Sequence, residues 1–185
     1  MNYSKEVNEL FLMQQAYATL MAVANKLEAQ DDKYYKGLTS RQYMAILAVF
    51  HLPPEETTLK NIAKKLGTTK QNVNQLISAI EKKGYIIITT SERDKRAINV
   101  KVTEPGIQAI LECSETGVIF MSKVFKKFTE HELDTLWRLL KKVYSFDGEE
   151  HDGFEEDASG RLEGDYSDIQ IRMLEEFRKR RKEQE

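Results

Sequence analysis

The stretch from Thr68 to Thr103 constrains the fold more than any other part of the chain, because it combines an amphipathic helix with two short strands. Thr69 is a suitable N-cap for that helix, since its hydroxyl can accept a hydrogen bond from the first turn. The apolar residues that follow recur at helical spacing and predict one buried stripe: Val73, Leu76, Ile77 and Ile80. Gly84 predicts the end of the helix, with Lys82 and Lys83 in its last turn.

Two β-branched segments follow the helix and predict a hairpin. The first runs over residues 86–89. The second alternates Ile98, Val100 and Val102 with polar residues. A turn dense in charge, residues 91–96, connects them. A helix followed by a β-hairpin with a basic tip is typical of a winged helix-turn-helix, so the predicted fold class is mainly α with a small β-hairpin wing.

The polar face of the predicted helix favours DNA reading. Gln and Asn side chains can pair bidentately with adenine in the major groove, and Lys can reach guanine or a phosphate. The alternative is that these residues form an ordinary solvated surface. This alternative is weaker for the whole set, because a predicted wing follows the helix. The candidate recognition-helix residues are Thr69, Lys70, Gln71, Asn72, Asn74, Gln75 and Ser78.

The charge distribution also indicates double-stranded DNA as the partner, although the whole chain carries a net charge of -2. Residues 57–103 hold 10 basic and 3 acidic side chains, whereas residues 147–185 hold 7 basic and 14 acidic ones. Positive charge is therefore concentrated where phosphates would lie. The candidate wing residues are Arg93, Asp94, Lys95 and Arg96, and the candidate contacts to the DNA backbone are Lys60, Lys64 and Lys65, expected to point outward from a helix over 59–66.

Long helices are predicted on both sides of the winged helix-turn-helix. Residues 5–30 carry an apolar seam with spacings of three and four, and Thr39 with Gln42 forms a capping-box pattern that predicts the next helix. The predicted buried face of that helix is Tyr43, Ile46, Leu47 and Phe50. After the wing, the apolar stripe of the next long helix is predicted to comprise Ile107, Leu111, Val118, Met121, Phe125 and Phe128. A last scaffold helix begins at Thr129, with Leu133, Leu136, Trp137, Leu140 and Tyr144 inward. These faces exceed what one small domain can cover, so we expect a homodimer.

The chain therefore divides into five expected segments. Residues 1–37 form a dimerisation helix and connector, 38–103 the winged helix-turn-helix domain, and 104–146 two further dimerisation helices. Residues 147–165 read as a solvated acidic linker, which is either a spacer or a competitor of DNA. Residues 166–185 form an amphipathic basic helix, whose apolar side (Ile169, Met173, Leu174, Phe177) we expect to dock on the scaffold or on a partner.

Residues 5–145 resemble the MarR family of winged-helix regulators. The most specific match is SERDKRAINVKVTEPG, residues 91–106, with weaker matches at 38–39, 62–63 and 80–86. The resemblance implies a homodimer on a pseudo-palindromic operator, with Arg96 in the minor groove and Asp94 bracing the wing. Gln75 stands where the family often has an Arg in the recognition helix. Many members also have an Arg soon after the start of the first strand, where residues 87–89 contain none. The terminal segments lie outside the family pattern.

The resemblance also implies a small aromatic effector that binds between the helical scaffold and the winged domain. The candidate pocket residues are Tyr17, Tyr34, Tyr35, Tyr43 and Phe50. Packing in an aromatic core is the alternative role for the same side chains. Between repression and activation of transcription, repression is favoured.

Other classes of function find little support in the sequence. Three scattered His residues make no catalytic or metal-binding arrangement, so we expect no enzyme activity, cofactor or metal. A winged helix used only for protein–protein contact is the alternative that stays open. Cys113 is expected to be a buried small hydrophobe, not a redox switch. No apolar run is long enough to span a membrane and no signal peptide is evident, so a cytoplasmic location is expected.

Overall fold

The computed structural model describes residues 3–90, 98–149, 154 and 167–182. It confirms the mainly helical fold with a two-stranded antiparallel wing. The elements in chain order are α1 (Ser4–Asp31), α2 (Ser40–His51), α3 (Leu59–Lys65), α4 (Lys70–Lys82), β1 (Ile86–Thr90), β2 (Ile98–Val102), α5 (Glu104–Val124), α6 (Glu130–Tyr144) and α7 (Ser167–Lys182). Short 3-10 turns occur at Asp32–Tyr34, Pro54–Glu56 and Ser145–Asp147. No described helix combines the length and apolar character needed to cross a membrane.

The chain separates into two compact units, residues 1–33 and 34–185. The first consists mainly of α1, and no residue of this helix is buried. Its large apolar side chains are therefore exposed, including Leu10, Phe11, Met13 and Tyr17. The predicted helix over 5–30 is confirmed. Of its apolar seam, Leu20 and Leu27 are half-buried and the other large side chains are exposed.

In the second unit, α2 begins with the predicted capping box. The Thr39 hydroxyl accepts from the Gln42 amide, and the Gln42 side chain accepts from the Thr39 amide, both at 3.2 Å. The predicted buried face was incomplete, because Ala45, Ala48 and Val49 are buried with Ile46 while Leu47 is only half-buried. Small residues extend the contact surface, since they allow neighbouring helices to approach closely.

Helices α3 and α4 form the predicted helix-turn-helix. The Leu66 amide donates to Ile62 O at 3.0 Å, and the Thr68 amide donates to Ala63 O at 3.0 Å. Gly67 lies between them with φ +60°, a left-handed conformation that favours glycine. These two backbone hydrogen bonds therefore tie the turn to the end of α3.

The wing pairs β1 with β2 in an antiparallel register that runs from Ile86–Val102 to Thr90–Ile98. A third segment extends this sheet, because the Val100 amide donates to Thr57 O at 3.0 Å and Thr58 bridges Asn99. Ile86 and Val100 face the core. The hairpin is thus anchored to α3 through the residues that precede that helix.

Helix α5 begins at Thr103, whose hydroxyl accepts from the Gly106 amide at 3.2 Å, with Pro105 in the first turn as predicted. The predicted stripe on this helix was mostly wrong, although Leu111 is buried as predicted. The buried residues are Gly106, Ala109, Ile110, Leu111, Cys113, Gly117, Phe120 and Ser122, whereas Met121 is 51% exposed. The helix also ends at Val124, so Phe128 lies in the following turn. Small residues such as Gly106 and Ala109 make up much of the buried face, whereas Ile107, Val118 and Phe125 are only half-buried.

Helix α6 begins with the second predicted capping box, formed by Thr129 and Glu132. Two hydrogen bonds from Thr129, followed by the weaker influence of His131, lower the pKa of the Glu132 carboxyl. None of the α6 residues is buried, and Trp137 and Leu140 are 44% and 41% exposed. The face predicted to point inward is therefore only partly covered in the single chain, with Leu133, Leu136 and Tyr144 half-buried.

The acidic segment does not behave wholly as a solvated linker. Phe154 packs against the hydrophobic core, and its ring meets the His51 ring edge-on at 5.2 Å between centroids. The prediction of a fully solvated segment was therefore wrong at Phe154. Further along, α7 docks on α5, where Arg172 pairs with Glu115 at 2.6 Å. The terminal helix thus docks on its own chain, but only Ile169 and Met173 of its expected docking side are half-buried, whereas Leu174 and Phe177 are exposed.

Two glycines of α5 give a matched test of this packing. A Cβ at Gly106 would lie 2.0 Å from Tyr85 O, whereas a Cβ at Gly117 would meet only Tyr35 Cε1 at an ordinary 3.7 Å. We expect Gly106→Ala to lower the free energy of unfolding by about 3 kcal/mol through overpacking. Gly117→Ala should raise it by about 0.5–1 kcal/mol, because Ala is the better helix former. Urea denaturation measures both, and equal effects would contradict the close approach at Gly106.

Candidate nucleic-acid interface

The polar face of α4 is open to solvent. Lys70, Gln71, Asn72, Asn74 and Gln75 are all exposed, and Thr69 is exposed at the N-cap. Ser78 is half-buried, so it presents less of its hydroxyl. Within the described ranges, Gln71, Asn74 and Gln75 form no side-chain hydrogen bond and no ion pair. Their amides are therefore free to contact a ligand.

The opposite face of α4 fixes the rotation of that polar face. Val73, Ile77 and Ile80 are 0% exposed and belong to the main core cluster. Turning the helix about its axis would expose these residues, and burying each of them is worth about 1.5–3 kcal/mol. Preorganised amides lose less entropy on binding than mobile ones do. The core thus holds the three amides in a defined direction.

Two of the candidate residues have local structural roles. The Thr69 hydroxyl accepts from the Asn72 amide at 3.2 Å and caps the helix, as predicted. The Asn72 side chain donates to the Thr68 hydroxyl at 3.1 Å. Asn72 therefore has one amide donor engaged within the chain, whereas the Asn74 side chain has none.

The three lysines of α3 differ in their environment. Lys60 and Lys64 are exposed, as predicted, but Lys65 is only 3% exposed, so its predicted outward orientation was wrong. Lys65 follows Ile62 by three residues and therefore lies beside the buried face of a short helix. The ring of Phe154 covers it, with Lys65 Nζ at 5.6 Å from the ring centroid. A residue 89 positions later in the chain thus decides the environment of Lys65.

Tyr144 supports the turn between α3 and α4, a role that the sequence analysis missed. Its hydroxyl donates to Lys64 O at 2.9 Å. A Cβ at Gly67 would lie 3.1 Å from Tyr144 Cε2, so the ring lies directly against the turn. The helical spacing of α6 indicated only that Tyr144 shares a face with Leu140. No local signal pairs it with a turn 80 residues earlier.

Lys83 links the end of α4 to the start of α2. Its ammonium donates to Gly37 O at 2.7 Å and to Gln42 Oε1 at 2.8 Å. From its position in the sequence, Lys83 was expected only to complement the helix dipole in the last turn of α4. The structure adds that Gln42 uses one oxygen for both its capping box and Lys83.

The four wing candidates, Arg93, Asp94, Lys95 and Arg96, lie outside the described residues. The described part of the hairpin reaches the pair Thr90–Ile98 on that side. Lys101 of β2 is exposed and adds a cation to the hairpin.

The aromatic candidates for an effector pocket pack on one another and on α5. The rings of Tyr35 and Tyr43 stack at 4.7 Å, and those of Tyr34 and Phe120 lie 5.2 Å apart. Burial raises the pKa of the Tyr43 phenol, although its hydrogen bond with Ser114 at 3.1 Å opposes the shift. Phe50 packs against the same core cluster. Tyr17 belongs to the separate α1 unit and is 69% exposed.

Cys113 is fully buried, which confirms the prediction of a small hydrophobe. Burial, followed by the charge of Glu112, raises the pKa of the thiol to about 11. A thiol with this pKa is protonated at neutral pH and hence a poor nucleophile. Among the described residues, no three His, Cys, Asp or Glu side chains converge on a metal site.

Comparisons with known proteins agree with this geometry. The model of the MarR family matches residues 36–97. The HTH-type transcriptional regulator PrsX of Escherichia coli is 24% identical over 107 residues, which are 58% of this chain. The chain spans 64% of the length of that relative.

Solved structures extend the likeness beyond the winged domain. A MarR/EmrR family transcriptional regulator from Acinetobacter sp. ADP1 is 25% identical, with a TM-score of 0.64 over 74% of this chain and 97% of that one. A MarR family transcriptional regulator from Streptomyces coelicolor, solved in complex with DNA, is 18% identical and shares the fold, with a TM-score of 0.64 over 71% of this chain and 85% of that one. Residues 36–97 are therefore similar to the MarR family, and the chain shares the fold of winged helix-turn-helix transcriptional regulators of that family.

Proposed function

We propose that this protein binds double-stranded DNA in a sequence-specific manner and thereby regulates transcription. The observation that carries the proposal is the row of free amides at Gln71, Asn74 and Gln75, exposed on a helix whose other face is locked in the core. A helix of this kind fits the major groove, where Asn and Gln recognise adenine. Lys60, Lys64 and Lys70 add exposed cations around it.

We propose further that the protein acts as a homodimer on a pseudo-palindromic operator. No residue of α1 or α6 is buried in the single chain, and both helices expose large apolar side chains. Exposed apolar surface on this scale marks an interaction surface. A second copy of the chain supplies a matching surface, and two-fold symmetry then presents two recognition helices to half-sites about one helical turn apart.

Repression is the proposed outcome of binding, because a dimer on a promoter-proximal operator excludes other proteins from the same DNA. We also propose release by a small aromatic compound. The stacked rings of Tyr35 and Tyr43 and the neighbouring Tyr34 and Phe50 offer flat apolar surfaces for such a compound. In this conformation the rings pack on one another, so binding would require them to separate.

A winged helix that contacts only proteins is the alternative function. It predicts no retention of AT-rich duplex DNA in a gel-shift assay, whereas the proposed function predicts retention that falls steeply with salt. Release of condensed counterions gives a slope of about -0.9 in log affinity against log salt for each phosphate contacted. The positive charge of residues 57–103 favours the DNA-binding alternative.

The contribution of the wing can be measured with Arg96→Ala. The expected result is weaker operator binding and a salt slope that is shallower by about one contact or less, because an arginine in the minor groove also reads its shape. Arg180→Ala serves as the charge-matched control, since Arg180 pairs with Glu176 on α7, which lies outside the proposed DNA and dimer interfaces. Equal affinities for wild type and Arg96→Ala would remove the wing from the interface.

Base readout can be measured with Asn74→Ala. We expect the preference for an A·T pair to relax at one position of each half-site, at a cost of about 1–3 kcal/mol. Binding to a set of operators with single base changes provides the measurement. Gln108→Ala, an exposed polar substitution on α5, should leave the profile unchanged. Uniform weakening on every DNA sequence would instead make Asn74 a phosphate contact.

The role of α1 in dimerisation can be measured with Leu10→Glu. Leu10 is 57% exposed, so the substitution does not disturb the packing of its own chain. A buried unpaired charge at the dimer interface should shift the protein toward monomer and weaken operator binding. Light scattering coupled to gel filtration gives the mass. The control is Asn8→Glu, which adds the same charge at an exposed polar position. A dimer unaffected by Leu10→Glu would place the interface elsewhere.

A further inference from the structure

An open groove of about 880 Å³ lies between α7 and the turn that connects α5 to α6. Its walls come from Ile171–Arg181 on one side and from Lys126–Thr129 on the other. A volume of this size suits a small organic molecule. Both walls of the groove lie outside residues 36–97, the region that the family model matches.

Contacts at both ends of α7 hold the groove in shape. Near its start, Arg172 pairs with Glu115 of α5 at 2.6 Å. Near its end, the Arg181 guanidinium donates to the C-cap carbonyl of α5, Phe125 O, at 3.4 Å and to Phe128 O of the connecting turn at 3.1 Å. The groove is therefore formed before any ligand binds.

One part of the groove is apolar. Ile171, Leu174 and Phe177 line it and are 51%, 66% and 45% exposed. Phe128 completes the wall, with its ring held edge-on against Phe125 at 5.6 Å. Large side chains with this exposure are unfavourable in water, so an apolar ligand body that covers them gains affinity.

The other part of the groove is cationic. Lys126, Lys127, Arg178 and Arg181 line it, against the single carboxylate of Glu175. Among the described residues, Lys126, Lys127 and Arg178 have no hydrogen-bond or ion-pair partner. The groove also contains Thr129, the N-cap of α6, where the helix dipole adds positive potential. This end therefore favours an anion.

We propose that this groove binds a small amphipathic organic anion, such as an aliphatic carboxylate. The apolar chain would lie on Leu174 and Phe177, and the carboxylate would pair with Arg178 and the lysines of the turn. Arginine is the side chain best suited to bidentate pairing with a carboxylate. The site extends the proposed regulatory function with a ligand class, but its occupancy does not depend on DNA binding.

Two other occupants fit the groove less well. A nucleic acid backbone has no apolar body to cover Leu174 and Phe177. The groove is also remote from the recognition helix, since α5 starts beside Gly84 and its 21 residues span about 30 Å before the groove. A second copy of the chain that covered the groove would bury its unpaired cations at a large desolvation cost.

Isothermal titration of the full-length protein with sodium decanoate tests the site. We expect saturable binding at one site per chain, while acetate lacks the apolar body and 1-decanol lacks the charge, so each should bind at least about tenfold more weakly. Arg178→Gln should weaken decanoate binding by about fivefold or more. The matched control is Lys179→Gln, which removes the neighbouring exposed cation that does not line the groove and should change affinity by less than about twofold.

Several results would overturn the proposal. Absence of decanoate binding, or equal affinity for decanoate and 1-decanol, would exclude an anion site. Equal losses in Arg178→Gln and Lys179→Gln would reduce the effect to general surface charge. Leu174→Gln that lowers the oligomer mass without affecting decanoate binding would assign the groove to a second copy. Because these measurements use no DNA, they fail or succeed separately from the test of operator binding.

Discussion

The burial of the apolar stripe of α4 is the constraint on which the proposed interface depends. Val73, Ile77 and Ile80 have no solvent exposure, and they pack against residues from α2, α3, β1 and β2. An α-helix with one fully buried face cannot rotate without losing that burial, so its other face has a fixed direction. Gln71, Asn74 and Gln75 occupy that other face. The same hydrophobic contacts that stabilise the winged domain therefore orient its candidate base-reading groups.

Contacts from distant parts of the chain complete the support of the helix-turn-helix. Tyr144 lies on the α3–α4 turn, and Lys83 joins the end of α4 to the start of α2. Gly106 brings α5 against the backbone of Tyr85 at a distance that no side chain would allow. Helix α6 thus contacts the winged domain at the α3–α4 turn, and α5 contacts it at the junction between α4 and β1. A change in α5 or α6 therefore has a direct physical route to the recognition helix.

The C-terminal segment adds to this arrangement in two ways. Phe154 comes from an acidic stretch of sequence, yet it packs on His51 and Lys65 and removes one lysine from solvent. Helix α7 packs on α5 and creates a groove lined by both apolar and cationic side chains.

The sequence by itself determined the local structure of this protein. Thr39, Thr69 and Thr129 cap helices as predicted, and the turn and wing follow from glycine and β-branched residues, because these effects act over a few residues. The exposed amides of α4 followed from the same helical periodicity. Only the tertiary structure decided which face of α5 is buried, since Ala109, Cys113 and Gly117 gain their contacts from the closeness of other helices. It also decided that Lys65 is covered by Phe154 and that Tyr144 supports the turn, because contacts between residues about 80 positions apart leave no periodic signal in the sequence.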